Sequence, residues 1–147
     1  MNLLAKPAMA IQFFWTLLAL CGALIVLAIT LGVAAWNGVN VPVALYLAFS
    51  GLATVGLLLG VALSFSTQPI FSWTTAISAS VIGCLSVIYI LGLLSNHLRE
   101  RASLTVSDMR LGGLHGPAIN FYAFALLTCS FQVLISILKI RQLKLLR

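Results

Sequence analysis

The residues best suited to chemistry in this chain stand close together: His97 and Glu100, three positions apart, with His115 beyond the next turn signal. An imidazole titrates near neutral pH and passes protons readily. Two histidines with a carboxylate one helical turn away therefore have the composition of an acid–base site. If the third apolar segment stays helical past its end, Asn96, His97, Glu100 and Arg101 share part of one face. The same residues also describe a solvated helix end with an internal ion pair, and both readings stand. Haem fits neither histidine, because its ligands must project from facing helices into a bundle. Cys21, Cys84 and Cys129 fall within three different apolar segments and form no C-x-x-C pair. They read as small packing groups, neither a redox dithiol nor a zinc site. No metal-ligand set and no cofactor motif is expected.

The elements that would position these residues follow from composition. Of 147 residues, 62% are hydrophobic and 7% charged, against roughly 25% charged in a soluble domain. Mean hydropathy is +1.16. Eight Lys/Arg and two Asp/Glu cannot coat a soluble particle of this size. Four stretches without a charged residue, about 11–36, 43–65, 73–95 and 117–138, each reach the length of about 20 residues that crosses a bilayer. Four such spans use most of the chain, so residues 1–147 are expected to form a single membrane domain: an all-α, antiparallel four-helix transmembrane bundle. The first apolar run is longer than the roughly 7–15 residues of a signal peptide's core, which predicts a retained span. Trp15 and Trp36 are 21 residues apart, about 31 Å along a helix, a spacing that places one indole at each interface.

The connections carry turn chemistry. Residues 37–42 contain Asn37-Gly38 and Pro42, residues 66–69 end in Pro69, and Gly112, Gly113, Gly116 and Pro117 close the third connection. Residues 98–116 read as the one sizeable loop, in which 103–107 alternate polar and apolar side chains like a short strand or an interfacial segment. The net charge of +6 does not signal nucleic acid, because its bases sit at the ends of apolar runs and form no basic–aromatic stripe. Lys6, Lys139, Arg141, Lys144 and Arg147 fall on the side of the termini, and Arg99, Arg101 and Arg110 on the other. This excess favours cytosolic termini. The tail 139–147 continues the last helix as a basic amphipathic end, with Lys139, Arg141, Lys144 and Arg147 expected against anionic headgroups.

Helices in lipid associate through close packing and interhelical hydrogen bonds. Gly56, Gly60 and Ser64 are four apart on the second span, and Ala76, Ser80 and Cys84 on the third, with Ala79 and Gly83 one step round. Ala19 with Ala23, and Ala28 with Gly32, repeat the interval on the first span. These ridges pack within the monomer, or the Gly56/Gly60 face makes a dimer. Most hydroxyls in the spans can bond the carbonyl one turn back. The Gln132 amide needs more partners and reads as a link between helices or a contact to a polar ligand. No Asp, Glu, Lys, Arg or His lies well inside a span, which argues against a coupled transporter or pump.

With four spans, Lys6 before the first, short first and second connections, a longer loop from His97 to Pro117 and a basic tail, the chain resembles MARVEL-type tetraspan proteins in layout. It lacks the Trp and Cys loop signature of claudin-like tetraspans. The MARVEL resemblance implies cytosolic termini and a role in organising membrane regions or escorting other membrane proteins, and it brings no catalytic residues. Two functions are carried forward. One is a non-enzymatic membrane protein acting by lateral association, with itself, with partner membrane proteins or as an accessory subunit. The alternative is a small membrane enzyme using His97 and His115, with Glu100, on a lipophilic substrate at one membrane face; its test is loss of activity, without loss of folded protein, in His97→Ala or His115→Ala.

The charge distribution yields a topology prediction. Thiols introduced as Lys6→Cys and Lys144→Cys should react with an impermeant reagent added to the cytosolic side, and Asp108→Cys only from the opposite side. The reverse labelling pattern would invert the assigned orientation.

Overall fold

Apolar composition over about 20 residues forces helix in a bilayer, because every backbone N–H and C=O must be satisfied within the segment. The computed structural model describes the backbone of residues 5–102 and 112–145 and the side chains of 9–95 and 119–145. It contains α1 (Ala5–Asn37), α2 (Val41–Ala62), α3 (Pro69–Ala102) and α4 (Gly112–Leu145). Each holds a stretch long and apolar enough to cross a membrane: Met9–Asn37, Val41–Ala62, Pro69–Ser95 and Ile119–Leu145. Every element among the described residues is helical, and the chain is a multi-pass membrane protein. Each helix packs on its two neighbours in a ring, with α4 returning to α1, and α1 also meets α3 across the centre.

The first turn is built by local chemistry. Gly38 takes a positive φ of 79°, a conformation that is cheap only without a Cβ. Asn40 then caps α2, its side-chain oxygen accepting from the Val43 N–H at 3.0 Å, and Pro42 occupies a first-turn position where its missing N–H costs nothing. The third connection differs from expectation. α3 continues to Ala102 and α4 begins at Gly112, so residues at both ends of the expected 98–116 loop are helical. Gly112 and Gly113 open a helix where a sharp return was expected, and Pro117 lies inside α4. Charge ends a membrane span, but Leu98, Arg99, Glu100, Arg101 and Ala102 are all good helix formers, so the helix outlasts the span. The strand-like 103–107 lies outside the described residues.

Packing is inverted relative to a soluble bundle. Leu17, Leu24 and Leu31 on α1 and Leu52, Leu58 and Leu59 on α2 face outward, where lipid is as apolar as a protein core. The interior holds Ala19, Ala23, Ala53, Ala79 and Ala125 beside Val26, Leu57, Ile82 and Tyr122. Small side chains here let helix axes approach. The tightest approach involves Gly22: a Cβ at that position would lie 2.9 Å from the Ala125 Cα, so α1 and α4 meet backbone to backbone. Gly56 faces Ser78, whose Cβ is 3.0 Å from a Gly56 Cβ position and whose hydroxyl is closer still; Gly60 faces Thr75 and Thr16. The Gly56/Gly60 ridge is thus occupied inside the bundle, on the α2–α3 seam, and is not presented to a second copy. Ala79 and Ser64 are buried with it, whereas Gly83 borders the outside.

Stability should follow these contacts. Gly22→Ala places a methyl group against backbone that cannot rotate away, and should cost about 1–3 kcal/mol. Gly32→Ala meets nothing within 4 Å and should be neutral or add up to about 1 kcal/mol through helix propensity. Titrating denaturing detergent into the purified protein and following helicity distinguishes the two. Equal stabilities would refute the close α1–α4 approach.

Candidate functional site

His97 and Glu100 lie on the α3 extension past Ser95, and His115 lies on α4 ahead of Ile119. Their side chains are outside the described residues. The polar chemistry that the described residues do assemble is at the other end of the bundle, near the helix ends that lead to the termini.

On α1, Gln12 and Thr16 are one turn apart; on α4, Gln132, Ser136 and Lys139 follow at intervals of four and three, placing them on one face. All are buried. The Thr16 hydroxyl donates to the Gln12 carbonyl at 2.7 Å and accepts from Gln132 Nε2 at 2.8 Å. The same Nε2 donates its second hydrogen to Ser136 Oγ at 3.1 Å. Gln132 therefore links α1 to α4, the first of the two roles its sequence position allowed. Ser64, Ser72 and Thr75 complete the layer from α3 and the end of α2, and the bare Gly60 lets Thr16 and Thr75 come together. Gln12 Oε1, Gln132 Oε1 and Ser72 Oγ are buried without a hydrogen-bond partner among the described residues. Such atoms accept from ordered water where room allows.

Lys139 corrects an expectation. The sequence assigns it to the headgroup region with the rest of the tail; instead only 9% of it is exposed, and its ammonium donates to the Ser64 carbonyl at 2.8 Å. The cause lies in α2, which stops at Ala62. A helix C-terminus leaves carbonyls without intrahelical partners and a partial negative charge, and a lysine satisfies both. Among the described residues no acidic side chain faces it. Arg141 and Lys144 are exposed, and Arg147 lies outside the described residues.

The opposite half of the bundle carries a different device. All three tyrosines of the chain converge, with ring centres 5.0 Å apart for Tyr46–Tyr89 and 4.7 Å for Tyr89–Tyr122. Thr30 Oγ1 lies 3.3 Å from the Tyr89 hydroxyl. This aromatic cluster, stacked between α3 and α4 and tilted between α2 and α3, joins the three helices, and sequence reading missed it because aromatic partners on separate helices share no spacing. Gln12 was missed for a simpler reason: its burial depends on how α1 packs in the bundle, although the i, i+4 pair with Thr16 on α1 is visible.

The remaining hydroxyls mostly return to their own helices, as Ser50 does to the Tyr46 carbonyl and Ser86 to that of Ile82, at 2.6 and 2.8 Å. Cys129 is buried while Cys21 and Cys84 are exposed, all as free thiols. Among the described residues no group of three His, Cys, Asp or Glu side chains could hold a metal. On the outer surface, two adjoining grooves of about 420 and 620 Å³ run along the α3–α4 seam, sharing Ser80, Cys84 and Val133.

The Gln132 bridge should be measurable. Thr16→Val and Gln132→Leu each remove one partner, and a double-mutant cycle in detergent or bicelles should return a coupling of about 0.6–1.7 kcal/mol, the range found for hydrogen bonds between membrane helices. Additive effects would show that the bond does not contribute. No protein-family model, curated protein or solved structure matches the chain, so its function is read from these residues themselves.

Proposed function

We propose that this chain is a non-enzymatic membrane protein that acts by lateral association, organising a membrane region, escorting a partner or serving as an accessory subunit, with cytosolic termini. The observation that supports this reading is where small residues face. Those at Gly22, Gly56 and Gly60 are occupied by neighbouring helices of the same chain. Ala28, Gly32 and Ala35 are exposed on one face of α1, and nothing lies within 4 Å of a Cβ built on Gly32. A low surface toward lipid is where another transmembrane helix can approach closely. The polar side chains of the interior, in turn, mostly bond their own helix or the next one, and so act in holding the bundle together. The same role is the one that the likeness to MARVEL-type tetraspans would imply.

The experiment compares two pairs of variants in the native membrane. Ala28→Leu with Gly32→Leu should leave the monomer folded and weaken its assembly by roughly tenfold, about 1.4 kcal/mol, read as loss of the large species in mild detergent. Gly56→Leu with Gly60→Leu should instead lower the amount of folded protein. Assembly unaffected by the α1 pair would overturn this reading.

A further inference from the structure

The groove on the α3–α4 seam has a direction and a charged mouth. Its first part runs on α3 from Trp73 to Cys84, with Val133 and Ile137 as the facing wall from α4. Eleven residues of helix span about 16 Å, close to the depth of one leaflet of a hydrocarbon core roughly 30 Å thick. The wall is apolar although it contains the Ser80 hydroxyl, and the adjoining groove adds that of Ser130. Ser80 Oγ donates to the Ala76 carbonyl at 2.8 Å and Ser130 Oγ to that of Leu126 at 2.7 Å, so carbon faces outward. Trp73 lies half-exposed at the outer end, where an indole marks the interface.

Val133 and Ile137 continue along α4 to Arg141 and Lys144, which are four and seven residues past Ile137 and share its face. Both cations are exposed and lie about 6 and 10 Å beyond the groove along the helix, at the level of phosphate. No acidic side chain exists among the described residues to neutralise them. Lys139, two residues before Arg141, is turned inward to Ser64 and does not compete.

From these features we infer that the α3–α4 seam is a seat for one anionic phospholipid, with an acyl chain in the Trp73–Cys84 groove and its phosphate held by Arg141 and Lys144. This differs from general attraction of a basic tail to a charged surface, because the chain-binding half and the phosphate-binding half lie on one face of the bundle and must be occupied by the same molecule.

Trp73 reports on the groove directly. In a protein carrying Trp15→Phe and Trp36→Phe, it is the sole indole, and brominated acyl chains quench it on contact. The protein is reconstituted in phosphatidylcholine vesicles containing a minor fraction of brominated phosphatidylglycerol, or the same fraction of brominated phosphatidylcholine. The expected result is an apparent affinity for the anionic lipid on the order of tenfold higher, as two surface cations would give. Arg141→Gln with Lys144→Gln should bring the two lipids to parity. Ser80→Phe with Cys84→Phe should also abolish the preference, although the cations remain. Equal quenching by both lipids in the otherwise unaltered protein overturns the proposal without reference to any groove variant. So does a preference that survives filling of the groove, since that is the signature of a diffuse charged halo. Absence of quenching by either lipid would mean that something else, such as a second copy's helix, occupies the seam, and would overturn it equally.

Discussion

The absence of water from the hydrocarbon core is the constraint on which this structure depends. Helix association there gains nothing from burying leucine, so it must come from backbone proximity and from hydrogen bonds that lipid cannot offer. Gly22 against Ala125 supplies the first for α1 and α4, and Gln132 between Thr16 and Ser136 supplies the second in the same seam. The two are coupled. A side chain as short as threonine reaches across an interface only when small residues bring the helix axes close, and the close approach in turn lets a buried donor such as Gln132 Nε2 find its acceptor. The large aliphatic residues are accordingly on the outside, where Leu17, Leu24 and Leu31 meet lipid.

How far the sequence discloses this arrangement depends on whether each feature is local. The four helices are legible because an apolar run of sufficient length has one solution in a bilayer. The small-residue ridge at Gly56 and Gly60 is legible as a ridge, yet its direction is not, since spacing alone allows α3 or a second copy to cover it. Gly22 has no small residue at the matching interval that would have singled it out; its partner is Ala125, on the last helix. Lys139 is misread from sequence for a related reason. Counting charges puts it in the tail, and only the end of α2 at Ala62 explains why it turns inward. His97, Glu100 and His115 are carried on helix, because good helix formers extend α3 past its apolar span and α4 starts before its own, where charge and glycine in the sequence suggest a loop.

The two ends of the bundle are held by different physics. Near the termini, directional bonds fix the register of α1 against α4 and of α2 against α4: Gln132 with Thr16, and Lys139 with Ser64. A shift of one helix along another by even a fraction of a turn would break them, and a stranded amide or ammonium in low dielectric is costly. At the other end Tyr89 stacks on Tyr122 at 4.7 Å, and Tyr46 tilts against Tyr89 at 5.0 Å. Stacked rings tolerate lateral displacement far better than a hydrogen bond does, because their attraction depends on offset contact over an area.

That asymmetry bears on what the outer surface can do. A binding face made by two helices is only as exact as the register between them. The α3–α4 seam draws Trp73 from one helix and Val133 and Ile137 from the other, with Arg141 and Lys144 following on that face of α4. α4 is tied at that same end to α1 by Gln132 and to the end of α2 by Lys139, and α2 is tied to α3 where Gly60 receives Thr75. The ring of contacts therefore closes near the end of the bundle where Trp73 of α3 and Ile137 of α4 line one groove. Polar groups buried near the termini have, on this argument, a consequence outside the core: they hold a charged residue on one helix at a fixed height relative to an apolar groove shared with another.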